Sequence, residues 1–153
     1  MNSQLQKIEV SFYLEGPVGY GFDPNEITQS LGIVPDNIRT LEDWPDAIKN
    51  PSRNLPEGIG PRVCWDISTK IEPSTAVSAQ FRQIIKRLEG KEEAINRLRE
   101  RHDLKAGFAI MIDMVLPYGL ELVLEESINT FVASIGASVS FDLSIDPSSD
   151  IID

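Results

Sequence analysis

Residues 22–35 read Phe22-Asp23-Pro24-Asn25-Glu26-Ile27-Thr28-Gln29-Ser30-Leu31-Gly32-Ile33-Val34-Pro35. This stretch specifies a short helix at both of its ends. Asp23 is of the type that accepts a free backbone N–H in a first helical turn. Pro24 suits the first helical position, where a missing N–H costs nothing. Glu26, three residues after Asp23, can return a capping-box bond. Ile27 and Leu31 share one face. Gly32 can adopt the left-handed conformation that ends a helix, and Pro35 forbids continuation.

Working outward, residues 5–15 alternate. Ile8, Val10, Phe12 and Leu14 face one way, and Glu9, Ser11, Tyr13 and Glu15 the other. That is the pattern of a half-buried strand. Gly16-Pro17-Val18-Gly19-Tyr20-Gly21 turns the chain into the helix. A second strand is expected over 62–70, with Val63, Trp65 and Ile67 inward and Cys64, Asp66 and Ser68 outward. The strand–turn–helix order then recurs from Phe108 to Gly136, where Ser134-Ile135-Gly136 echoes Ser30-Leu31-Gly32. Residues 105–116 are apolar on both sides, which marks a central strand. Residues 137–145 alternate again, with Val139, Phe141, Leu143 and Ile145 inward.

Between the second and third strands lies a helical pair. Val77, Phe81, Ile84, Ile85 and Leu88 form the stripe of a core-facing helix. Ala94, Ile95 and Leu98 give the next helix, about Lys91 to Arg101, a narrower apolar face. The chain therefore reads as α+β, with two right-handed β-α-β halves. They are expected to form a four-stranded, mainly antiparallel, ferredoxin-like sheet with helices on one face. The helical pair is inserted between strands 2 and 3. Residues 1–146 are expected to make one domain, followed by a flexible acidic tail over 147–153.

These residues resemble the bacterial domain-of-unknown-function family 4279. The likeness rests on Phe22-Asp23-Pro24 with Ile27, on Leu31-Gly32-Ile33 with Pro35, on Trp65, and on Ile135-Gly136-Ala137 followed by Asp142. It spans nearly the whole chain. Where the family usually carries an aspartate, an apolar residue and a tyrosine, this chain has Asp142-Leu143-Ser144. The resemblance implies the fold and a bacterial origin, and it brings no catalytic residue.

With 153 residues, 41% hydrophobic and 25% charged, the chain has the composition of a soluble globular protein. Its net charge of −10 argues against nucleic acid and anionic membrane as partners, since both require a basic surface. No basic-then-apolar leader or membrane-length apolar run is present, so a cytoplasmic location is expected. Charge is uneven: residues 71–105 carry eight Lys/Arg against six acids, with i,i+4 pairs such as Glu93–Arg97 expected on the exposed helix. Docking of this insert against an acidic face would allow a homo-oligomer.

Catalytic chemistry finds little support. The single histidine, His102, sits between Arg101 and Asp103 and is expected to be a solvated helix-end residue. Cys64, the single cysteine, has a tryptophan neighbour and an acidic residue two away, neither of which lowers a thiol pKa. The glycine turn lacks the lysine and hydroxyl of a phosphate loop. No catalytic residue, metal site or cofactor is expected, and the chain is not read as an enzyme.

The outward sheet face holds more interest. Alternation places Glu9, Asp66, Asp113 and Asp142 there, one carboxylate per strand, together with Tyr13 and several serines. This face is read as a surface for a basic protein partner, as in an acidic immunity-type or antitoxin-like inhibitor. The proline-rich segment 35–61, long for a structureless loop, holds Trp44. Trp44 could contribute to that surface, or the segment could cover a small-ligand pocket beside Trp44 or Trp65.

Overall fold

A computed structural model describes residues 6–50, 55–73, 76–114 and 122–145. The expected tail over 147–153 and the end of the third strand beyond residue 114 lie outside these residues. The elements are β1 (Lys7–Glu15), α1 (Asn25–Leu31), β2 (Asn37–Arg39), a 3-10 turn (Leu41–Asp43), α2 (Asp46–Lys49), β3 (Cys64–Ser68), β4 (Glu72–Pro73), α3 (Val77–Leu88), α4 (Glu92–His102), β5 (Lys105–Met114), α5 (Glu126–Ser134) and β6 (Ser138–Ile145). The fold is mixed α+β. No helix among the described residues is long and apolar enough to cross a membrane.

The sheet differs from the expected one. Five strands run in the order β2-β3-β1-β5-β6, and the two-residue β4 pairs with β1 beyond that path. Four strands were too few because β2 has only three residues, too short for alternation to register. A ferredoxin-like sheet would interleave the strands of its two halves. Here β1 and β3 are neighbours, and so are β5 and β6. Nor is the second half antiparallel: β5 and β6 pair in parallel from Gly107 opposite Ser138 to Met114 opposite Ile145. A β-α-β crossover returns the chain in the same direction, so this pairing is the natural product of one.

The residues cluster into two compact units. The first comprises Met1–Phe12, Ser68–Arg87 and Gly107–Asp153. Its core is aromatic: the ring centroids of Phe12 and Phe81 lie 5.2 and 4.7 Å from that of Phe108. Around them Ile8, Val10, Ile84, Ile110, Ile112, Ile128 and Ile135 are buried, each such side chain contributing about 1.5–3 kcal/mol of transfer free energy. One polar knot sits within this core. The Thr69 hydroxyl lies 2.9 Å from the Val10 N–H that donates to it and 3.0 Å from Gln80 Oε1.

The second unit comprises Tyr13–Ile67 and Leu88–Ala106. Trp65 is fully buried with Leu14, Ile27, Leu31, Ile67, Leu88 and Ile95. Its indole N–H donates to Thr28 Oγ1 at 3.0 Å, which ties α1 to β3. Ahead of α1 the Asp23 carboxylate accepts the Asn25 N–H at 3.0 Å, and Pro24 stands at the N-cap, one residue later than expected. Gly32 ends the helix with φ of 64° and its N–H on the Thr28 carbonyl. In the other unit Gly136 follows α5 with φ of 58°, so the echoed glycines share a positive φ. The turn after β1 is closed by Gly16 N–H on Val63 O and Gly19 N–H on Pro61 O.

Within the segment 35–61, of which residues 51–54 lie outside the described residues, residues 36–50 are more ordered than the prolines imply. Antiparallel pairing sets Asn37, Ile38 and Arg39 opposite Asp66, Trp65 and Cys64. Thr40 and Asp43 then form a reciprocal capping box. Backbone and side-chain hydrogen bonds from Thr40 hold the Asp43 carboxyl below its ordinary value.

Candidate functional site

A cluster of polar side chains in the second unit joins α1 to α4. Ile27 and Leu31 face its core, so Glu26 is set on the flank of α1 beside α4. Glu26 does not close the expected capping box. Both carboxylate oxygens engage α4 instead: Oε1 accepts from Arg101 Nη1 at 2.9 Å and Oε2 lies 2.8 Å from His102 Nε2. The charged Arg101 guanidinium outcompetes a neutral backbone N–H for the carboxylate.

His102 is consequently not the solvated residue expected from its charged neighbours, for its side chain is only 9% exposed. Phe22 stacks on the imidazole at 4.4 Å between centroids and 14° between planes. The Tyr20 hydroxyl lies 2.9 Å from Nδ1. With Nε2 facing a carboxylate, a ring proton sits on Nε2, and Nδ1 pairs with the Tyr20 hydroxyl. The aromatic pair of the glycine turn, Tyr20 and Phe22, was the available signal for this enclosure.

Beside the cluster runs a groove of about 240 Å³ lined by Glu26, Ser30, Ala94, Arg97, Leu98 and Arg101. The expected Glu93–Arg97 ion pair is not among those formed by the described residues. Arg97 lines the groove instead. Sequence reading did not find this site, because α1 and α4 are brought together only by the fold.

The residues singled out from the sequence are distributed over both units. In the first, Asp113 and Asp142 occupy one side of the β5–β6 pair, where Met111 stands opposite Asp142 and Asp113 opposite Ser144. The Ser144 hydroxyl donates to Asp113. Met111 is 44% exposed, so β5 is apolar on both sides without being buried on both. Glu9, on β1 of the same unit, is half-buried. The other side of β6 overturns an expectation: Phe141, Leu143 and Ile145 are 42, 53 and 57% exposed. Their parallel partners Ile110 and Ile112 are buried. Among the described residues β6 is the last strand in the order and has a neighbour on one edge, whereas Ile110 and Ile112 lie on a strand flanked on both sides.

In the second unit, Asp66 accepts from Asn37 Nδ2 at 3.1 Å. Burial pushes its carboxyl above the ordinary range, against the opposing effect of that bond. Tyr13 is half-buried on β1. Trp44 is tied into the fold, its indole N–H donating to Arg62 O at 2.8 Å while the Arg39 guanidinium lies 4.7 Å over the ring. Burial, reinforced by Glu15, pushes the Cys64 thiol up, so the neutral thiol prevails and nucleophilic chemistry is disfavoured.

The family model described as Domain of unknown function (DUF4279) matches residues 6–146. No curated protein and no solved structure matches the chain.

Proposed function

The chain belongs to the DUF4279 family of domains of unknown function, and from that premise we propose that it is a non-enzymatic protein-binding module, an acidic inhibitor of the immunity or antitoxin type. The observation that carries this reading is the surface of β6. One side presents Phe141, Leu143 and Ile145 to solvent. The other presents Asp142 and Asp113 around the exposed Met111. The strand ends the sheet order among the described residues.

An unpaired edge offers a row of backbone donors and acceptors to an added strand. Natural edges are usually blunted by lysine, proline or a bulge; Ser138–Ile145 contains neither residue. Exposed apolar side chains would supply buried area on docking, and carboxylates would steer a basic partner into register. A net charge of −10 extends that attraction. Such a protein acts by masking a basic catalytic surface and needs no reactive group of its own.

The test is protection of cells that express the chain together with the toxic product of an adjacent gene. Wild type is expected to protect and to co-purify with that product. Leu143→Glu and the pair Asp113→Lys with Asp142→Lys are expected to lose both properties while keeping wild-type circular dichroism. Full protection by both variants overturns the reading.

A further inference from the structure

We propose that the α1–α4 groove of the second unit binds a small organic anion, a phosphate monoester or a carboxylate, between the guanidinium groups of Arg97 and Arg101. Arg97 and Arg101 stand one turn apart on α4, an arrangement that sets two like charges against each other. Arg101 is relieved of it by Glu26 at 2.9 Å. Arg97 is not, since it has no ion pair or hydrogen bond among the described residues. Its five N–H donors are therefore free in a fork that matches carboxylate and phosphate oxygens.

Glu26 does not oppose an anion in the ordinary way. One oxygen holds Arg101 and the other faces His102 at 2.8 Å, so its charge is spent on positioning. That position is fixed in turn by Phe22 stacked on the imidazole and Tyr20 bonded to Nδ1. A guanidinium held by a supported carboxylate is pre-organised for its ligand. From α1, Ser30 adds a hydroxyl to the lining. Ala94 and buried Leu98 add an apolar surface suited to a short carbon chain. The volume, about 240 Å³, falls below the roughly 300–1,000 Å³ of drug-sized sites, which limits the ligand to an anionic head and a few carbons.

Methyl phosphate and propionate, titrated into the isotopically labelled full chain, provide the test, with amide shifts followed by NMR. Saturable shifts at Ser30, Ala94, Arg97 and Arg101 are expected with at least one probe, at millimolar Kd. The tighter probe assigns phosphate or carboxylate. Arg97→Gln leaves the Arg101–Glu26–His102 contacts in place, and it is expected to weaken binding about tenfold, the loss of one charge-assisted fork. Raising salt from low to physiological strength should weaken it further. Absence of saturable shifts with both probes overturns the proposal. So does unchanged affinity in folded Arg97→Gln.

Discussion

His102 Nε2 lies 2.8 Å from Glu26 Oε2, across 76 residues of chain. Neither residue sits in a local motif that announces the other. Their contact joins the helix of the first β-α-β half to the inserted helical pair, and it sets the geometry of the groove beside them.

If that contact is structural, removing one partner strands the other. His102→Ala deletes the bonds to Glu26 and Tyr20 together with the Phe22 stack. The expected loss is about 1–2 kcal/mol in urea unfolding, since the site is partly wetted. Glu26→Gln should cost less alone. A double-mutant cycle should return a coupling of about 0.5–1 kcal/mol. Strict additivity would mean that the pair contributes shape without energy.

Thr69 makes a sharper case, because its hydrogen bonds are buried. Its hydroxyl serves the Val10 N–H and Gln80 Oε1, and Gln80 is 1% exposed. Thr69→Val keeps the shape and leaves both groups without their partner. A loss of about 2–3 kcal/mol is expected, whereas Thr69→Ser keeps the hydroxyl and should lose under about 1 kcal/mol. Equal losses in the two variants would assign the effect to the methyl group.

The contrast between these two sites shows where sequence patterns speak. Alternation located β1, β3, β5 and β6, and the stripe from Val77 to Leu88 located α3, because burial on one face imposes a period. The caps of α1 were legible for the same local reason, through Asp23 and Gly32. Strand order was not legible. It depends on which strands meet, and β-α-β halves with neighbouring or interleaved strands have the same periodicity. The exposure of Phe141, Leu143 and Ile145 followed from that order. The α1–α4 site was hidden for a further reason. Glu26 and His102 look like a helix-start acid and a charged helix end until the fold brings them together.

Gly32 tests the local part of that claim. Its φ of 64° is open to glycine at little cost, and a Cβ built there would meet nothing within 4 Å. The penalty of Gly32→Ala is therefore conformational, about 1–2 kcal/mol. Gly32→Asn should recover part of it, since asparagine tolerates the left-handed region. Two equally destabilised variants would show that something other than φ is at stake.

Asp66 gives a pH-dependent prediction of opposite sign to a salt-bridged carboxylate. Burial raises its carboxyl above the ordinary 3.8, only partly offset by the Asn37 bond, and Asp36 adds to the rise. The folded form therefore holds the proton more tightly than the unfolded one. Between 3.8 and the raised folded value, stability from this group falls as pH rises. Above that window the charged carboxylate is a standing penalty. Asp66→Asn removes the charge, and its side-chain oxygen can still accept from Asn37 Nδ2. The variant should be more stable than wild type at pH 7 by a few tenths of a kcal/mol, about 0.3–0.5, a modest figure because water screens the half-exposed group. That advantage should shrink as the pH is lowered through the window and vanish below it, where Asp66 is protonated in both states. Urea unfolding of both proteins at neutral and acidic pH measures the difference directly. A variant less stable than wild type at neutral pH, converging with it in acid, would show that the charged carboxylate stabilises the β2–β3 pair.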